Sequence, residues 1–274
     1  MITHTDIGYN GRFGNQLFIY ALLYKLKTLG KEVFIPAYNI KSIKDDGCFD
    51  TYHKFWIKYR CVLYDYFNLS MPLKDKYDAL PKWQEMEVKF YPKVLQLDNV
   101  NLSGYFQSWK YFDDIKEDLL KELKFKSEIT DKIDKFYKES FEYKTIGIQI
   151  RLGDTLGQSW MHKLSIEYIS EVLQMFPEDN YNFLIFSDNI DYCKDWFGDD
   201  DRVYFEKNLN EAESLYMLSL CDNLILSAST YSWWAAYLNQ KNGLKIFPDY
   251  FDGSNRDLDG FYHPSWKRIK VEVK

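Results

Sequence analysis

The chain has 274 residues, 46% of them hydrophobic, 28% charged and 19% aromatic, and a formal net charge of −6. This composition suits a soluble globular protein with a sizeable core, in two small domains or one large one. The negative balance disfavours a broad nucleic-acid surface, which needs clustered positive charge, and no apolar run approaches the ~20 residues of a membrane span.

The chain opens with a short apolar strand in "ITHTDIG", followed by the glycine-rich turn "GYNGRFGN". "QLFIYALLYKLKTLG" is apolar around most of its circumference, as a buried helix is, and Gly30 is placed to stop it. "KEVFIP" supplies a second strand, so the opening reads as strand, turn, helix, strand: the start of a parallel α/β unit. Residues 41–97 mix charge and aromatics without a strong period, and helices and loops are expected there. "VNLSGYFQS" reads as a strand ending in a turn. "YFDDIKEDLLKELKF" and "SEITDKIDKFYKESF" follow as amphipathic helices.

From residue 145 the alternation is clean. "TIGIQIR", "NFLIFS", "RVYF", "NLILSAS" and "LKIFP" read as strands, and "SIEYISEVLQMF", "IDYCKDWF", "EAESLYMLSL" and "YSWWAAYLNQ" as helices. Five strands alternating with four helices predict an open parallel sheet. The restart of this alternation sets a domain boundary at 142: residues 1–142 and 143–274.

Four cysteines, Cys48, Cys61, Cys193 and Cys221, include no C-x-x-C pair. They read as free thiols in a reducing compartment. The four histidines are scattered, so no metal cluster is visible. The first residues lack a basic start and a cleavable apolar core. A cytoplasmic location is the expectation, with peripheral docking on a membrane left open.

In open parallel sheets ligands sit beyond the carboxyl ends of the strands. Those positions carry Arg151, Gly153 and Asp154; Ser187, Asp188 and Asn189; Ser227, Ser229, Thr230 and Ser232; and, in the first half, Gly11, Gly14 and Asn15. Helix N-termini present unpaired N–H groups to phosphate. Glycines let the backbone approach a ligand, and arginine binds phosphate through two parallel bonds. Each motif also has a plainer reading as a cap, a turn or a surface ion pair. The triplets in "DNIDY" and "DLD" are too common to count as metal sites. Trp233 and Trp234 are expected in the core rather than as a sugar platform.

Together the blocks resemble glycosyltransferase family 11, the α-1,2-fucosyltransferases. The resemblance rests on "GRFGNQLFIYA", "GYFQSWKYF", "IGIQIRLGD", "MHKLSIEYI", "FSDN" and "SASTYSWWAAYLN", in order from about residue 8 to 240. Gln149 and Leu152 depart from the family pattern, which has a histidine and a second arginine there. The resemblance implies an α/β, GT-B-like fold: two Rossmann-like domains with the active site in the cleft between them. Residues 1–142 would face the acceptor and residues 143–274 would bind the nucleotide sugar. It implies GDP-fucose as donor, a galactose-type hydroxyl of a glycan as acceptor, inversion, and no metal. Arg151 is the residue it places on the donor diphosphate. Gly11, Gly14, Asn15, Ser187, Asp188, Glu213, Ser229, Thr230 and Ser232 complete the expected donor site, with Asp188 and Glu213 as candidates for ribose or guanine. Asp154, His162 and Asp6 are candidate bases, and on resemblance alone Gln107 and Ser108 face the acceptor.

Overall fold

The computed structural model describes residues 1–9, 11–40, 49–50, 55–56, 60–141, 143–152, 165–176, 180–198, 200–251 and 257–270. The chain divides into two compact units, Met1–Lys124 and Phe125–Lys274.

The first unit is built on short parallel strands. In chain order it contains β1 (Ile2–Thr3), α1 (Phe13–Thr28), β2 (Ile35–Pro36), the antiparallel pair β3 (Phe49–Asp50) and β4 (Phe55–Trp56), α2 (Leu63–Tyr66), β5 (Leu73–Lys74), β6 (Lys82–Gln84), β7 (Val100–Ser103) and α3 (Lys116–Glu122). One sheet runs β1-β7-β6, and β2 pairs with β5. A parallel bridge between Ile2 and Val33, and the bond from Phe34 N–H to the Ile2 carbonyl (3.1 Å), join the two. α1 is buried on nearly every side, from Phe13 to Leu26. It ends at Gly30, whose φ of +80° is one that a β-carbon disfavours and whose N–H closes onto the Lys27 carbonyl (3.0 Å). The expected stop is the observed one. Residues 60–97, expected as helices and loops, also contain β5 and β6.

The second unit holds α4 (Ser127–Ser140), β8 (Lys144–Ile150), α5 (Ile166–Leu173), β9 (Tyr181–Ser187), α6 (Ile190–Phe197), β10 (Val203–Phe205), α7 (Glu211–Leu220), β11 (Asn223–Leu226), α8 (Thr230–Leu238), β12 (Lys245–Pro248), α9 (Leu258–Phe261) and β13 (Lys267–Ile269). Its six strands are all parallel, in the order β10-β9-β8-β11-β12-β13. The chain begins in the middle, winds outward through β9 and β10, returns, and winds the other way from β11. This is the doubly wound order, with its reversal between β8 and β11.

β8 shows why this sequence makes a central strand. Ile146, Ile148 and Ile150 face α5 and α6 in a cluster with Tyr168, Ile169, Val172 and Cys193. The alternate residues face the other layer. A β-carbon on Gly147 would lie 2.6 Å from Leu218 Cδ1 and 2.9 Å from Cys221 Sγ, so glycine lets α7 pack close to the sheet. Trp233 and Trp234 are fully buried, as expected of core residues.

The units meet at Lys124–Phe125 rather than at 142, because α4 belongs to the second unit. It packs on α7, with Tyr216 Oη donating to Asp134 (2.8 Å) and Lys132 Nζ to Glu213 (2.7 Å). Cys61, Cys193 and Cys221 are free and buried, whereas Cys48 lies outside the described residues. Among the described residues no helix is long and apolar enough to cross a membrane.

Candidate active site

The reversal point places the carboxyl ends of β8 and β11 side by side, and Ser227 stitches them together. Its hydroxyl donates to the Gln149 carbonyl (2.9 Å) and accepts from the Arg151 N–H (2.9 Å); its own N–H also donates to the Gln149 carbonyl (3.1 Å). The backbone of Arg151 is thus fixed at both flanks: the next N–H, of Leu152, donates to Asp188 Oδ1 at the end of β9 (2.7 Å).

α8 begins at the same edge. Ser229 is its N-cap and accepts from the Ser232 N–H (3.0 Å), the bond expected of a serine before a helix. A chain of hydroxyls follows: Ser229 and Ser232 are bonded at 2.8 Å, and the Ser232 hydroxyl donates to Gln149 Oε1. Ser229, Ser232 and Gln149 are all buried. Gln149 therefore ties the end of β8 to the start of α8, a role that the sequence reading, which treats it only as a departure, does not foresee. Leu152, the other departure, is fully buried in the apolar cluster under β8. Arg151, Ser227, Ser229, Thr230 and Ser232 converge, with Asp188 one strand away. The arrangement brings the backbone of an arginine to the same strand edge as a capped helix N-terminus, two features suited to a diphosphate.

"FSDN" closes the next strand end. Ser187 Oγ accepts from the Asn189 N–H (3.0 Å), and Asn189 caps α6 by accepting from the Tyr192 N–H (3.3 Å). The aspartates of "DNIDY" and "DLD" carry local structure: Asp191 pairs with Lys194, and Asp257 caps α9 by accepting from the Gly260 N–H (2.9 Å).

Glu213 is placed differently from Arg151 and its neighbours. It is the third residue of α7 and completes a capping box with Asn210: Oε2 accepts from the Asn210 N–H (2.9 Å), while Asn210 Oδ1 accepts from Ala212 and Glu213 N–H (2.9 and 3.0 Å). Oε1 accepts from Lys132. Burial alone would raise its pKa, but the bonds from Lys132 and from the Asn210 N–H outweigh it and hold the carboxyl below its ordinary value. Both oxygens are thus engaged within the protein.

In the first unit the "GRFGNQ" and "GYFQS" blocks meet. Gln107 Nε2 donates to Asn15 Oδ1 (2.8 Å). Gly11, at φ +85°, packs directly on the Asn15 side chain. Gln16, next to Asn15, is structural: it donates to the Arg60 carbonyl (3.1 Å) and accepts from the Val62 N–H (2.9 Å). Gly14 is buried in the first turn of α1, and Ser108 is fully buried. Asp6 accepts from Ser103 Oγ (3.1 Å) and lies 3.6 Å from Lys82 Nζ. His4 is fully buried; its Nε2 donates to the Gly104 carbonyl (2.9 Å), and its Nδ1 has no partner among the described residues. Asp154, His162 and Gly153 lie outside the described residues.

Residues 1–270 match the family model of Glycosyl transferase family 11. Among curated relatives, the galactoside 2-α-L-fucosyltransferase SEC1 of Bos taurus is 25% identical over 248 residues, 85% of this chain. This chain spans about 63% of that protein's length. The O-antigen biosynthesis glycosyltransferase WbnK of Escherichia coli is 24% identical over 293 residues, covering 90% of this chain and 95% of its own. Among solved structures, the fucosyltransferase NodZ from Bradyrhizobium superposes with a TM-score of 0.54 at 12% identity, over 85% of this chain and 91% of NodZ. A crystal of NodZ α-1,6-fucosyltransferase soaked with GDP-fucose gives a TM-score of 0.51 at 13% identity, over 87% of this chain and 90% of that one. The fold is α/β and GT-B-like, as the motifs imply, and the chain belongs to glycosyltransferase family 11.

Proposed function

We propose that this protein transfers fucose from GDP-fucose to a galactose-type hydroxyl of a glycan, forming an α-1,2 linkage with inversion and without a metal. The observation that carries the reading is the strand end at Arg151, held by Ser227 beside the capped N-terminus of α8. The names of SEC1 and WbnK support the reaction class, and the GDP-fucose in the NodZ crystal supports the donor.

Cleavage of the bond between the anomeric carbon and the phosphate oxygen leaves an oxocarbenium-like sugar and a diphosphate that carries the departing electron pair. Fixed donors aimed at that developing charge lower the barrier. The Arg151 guanidinium and the first N–H groups of α8 supply them, with Ser229 and Ser232 setting the helix end. Asp188 and Ser187, at the end of the neighbouring strand, are the groups offered to the ribose hydroxyls. The acceptor hydroxyl attacks the opposite face of the anomeric carbon and passes its proton to a base. Asp6, Asp154 and His162 are the candidates, and in this proposal the first unit is the acceptor side, with Gly11, Gly14 and Asn15, bonded to Gln107, serving the acceptor rather than the donor. Glu213, with both oxygens engaged, supports α7.

A second reading, a different GDP-sugar donor, is favoured by Gln149 and Leu152, which stand where the family has histidine and arginine. Calorimetric titration with GDP-fucose, GDP-mannose and UDP-galactose in EDTA separates the two. Selective binding of GDP-fucose is the expected result. Binding of GDP-mannose alone keeps the fold and moves the substrate, and binding of no nucleotide rejects both.

A further inference from the structure

The turn after β7, residues 104–108, holds an uncommon backbone. Phe106 has φ +53°, in the left-handed region that a bulky side chain rarely adopts, and it is fully buried. Such a conformation persists only where its surroundings over-determine it, and here two buried side chains do so. Glu85, at the end of the neighbouring strand β6, turns one carboxylate oxygen onto the turn; Oε2 accepts from Tyr105 N–H (2.7 Å) and Phe106 N–H (3.0 Å). His4, at the end of β1, donates to the Gly104 carbonyl (2.9 Å). Gly104 makes room for this arrangement: a β-carbon there would lie 2.4 Å from Glu85 Cβ and 2.6 Å from its Oε2. The residue after Phe106 is Gln107, whose amide reaches Asn15 (2.8 Å).

We propose that Glu85 is a positioning residue: by holding the turn in its left-handed form, it sets Gln107 against Asn15 on the acceptor side of the reaction. The inference rests on the activity proposed above. Glu85 touches neither substrate; it acts through two backbone N–H groups and the one residue they aim. A carboxylate with only 9% of its surface exposed is costly unless it is hydrogen-bonded, and the two N–H groups of the turn bond Oε2.

The test uses the full chain with GDP-fucose and phenyl β-D-galactoside as the acceptor probe. Glu85→Ala is expected to lower kcat/KM for the galactoside by about tenfold or more, while the Kd for GDP-fucose stays within about twofold. Glu85→Gln keeps an oxygen that accepts both N–H groups and is expected to restore activity to within about threefold of the wild type. Because Glu85 acts through Gln107, the Glu85→Ala/Gln107→Ala double variant should be no worse than Gln107→Ala alone. Multiplying losses, or a Glu85→Ala protein as active as the wild type, overturns the proposal. So does a loss that falls equally on donor binding. Where Glu85→Ala does not fold, Glu85→Asp, a carboxylate one methylene too short, is read in the same way. If the wild type turns over no GDP-fucose, the activity reading fails, and positioning is then read by NMR. The Gln107 side-chain amide signals should shift in Glu85→Ala or Glu85→Asp and stay in place in Glu85→Gln; unchanged signals in all three overturn it.

Discussion

In the proposed reaction, Arg151 is the side chain that carries the most chemistry. Its backbone is fixed through Ser227 and, at the next residue, Asp188, so the guanidinium can be removed without unfastening the strand end. Arg151→Ala is therefore expected to lower kcat by about a hundredfold or more, the ~3 kcal/mol that one fixed donor to a developing oxyanion contributes. The urea midpoint should stay unchanged. Turnover near the wild-type value in a folded Arg151→Ala protein would remove the arginine from the mechanism. His4 gives a second prediction at this scale. Burial pushes its pKa down to about 4, against the opposing effect of its bond to the Gly104 carbonyl. The unfolded chain takes up this proton near the ordinary value of 6.5, so between there and about 4 the unfolded state binds more protons than the native state. Stability is then present above that range and lost as the pH falls through it. Urea denaturation should show about 2 kcal/mol less stability near pH 5 than near pH 7 from this group, and His4→Gln should remove that share of the slope. Arg151 was legible in the sequence, because a lone charge closing a run of isoleucines is conspicuous. Gln149, Glu85 and His4 were not, because each takes its meaning from a partner far along the chain: Ser232, the Phe106 turn and Gly104.

Among the elements, α7 shows how a residue type can suit two roles. A carboxylate on the helix that precedes the strand leading to the α8 turn suits a ribose or a guanine, and the sequence offers Glu213 for that role. The same carboxylate three residues after an asparagine also suits a capping box, and this is the arrangement observed. Asn210→Ala removes the acceptor for two N–H groups and loosens Glu213. It should cost about 1 kcal/mol of stability in urea denaturation and leave GDP-fucose affinity unchanged; an affinity loss exceeding the stability loss would return Glu213 to the nucleotide site. The strands divide by a similar logic. β8, β9, β11 and β12 were legible because their runs are apolar and mostly buried. β13 is charged and largely exposed, and β5 and β6 are short and largely open to solvent. An edge strand of that kind carries no hydrophobic run to announce it.

For the whole molecule, the parallel α/β order and its two halves were legible, while the line between them was not. Strand alternation restarts near 144, but the unit begins earlier, because α4 spends its buried face on α7 and on Thr145 and Leu220 through Tyr137. An amphipathic helix shows in sequence that it has a partner, not which sheet the partner covers. The order β10-β9-β8-β11-β12-β13 has one reversal, and Arg151, Ser227 and the start of α8 stand at its carboxyl edge; this coincidence of topology and chemistry is the ground for the proposed donor site. The measurement that tests the account most directly is turnover of GDP-fucose with phenyl β-D-galactoside in EDTA, with the product linkage assigned by NMR. The account predicts fucose joined α-1,2 to the galactose. GDP-fucose recovered intact from a folded protein, or fucose joined at another hydroxyl, would contradict it.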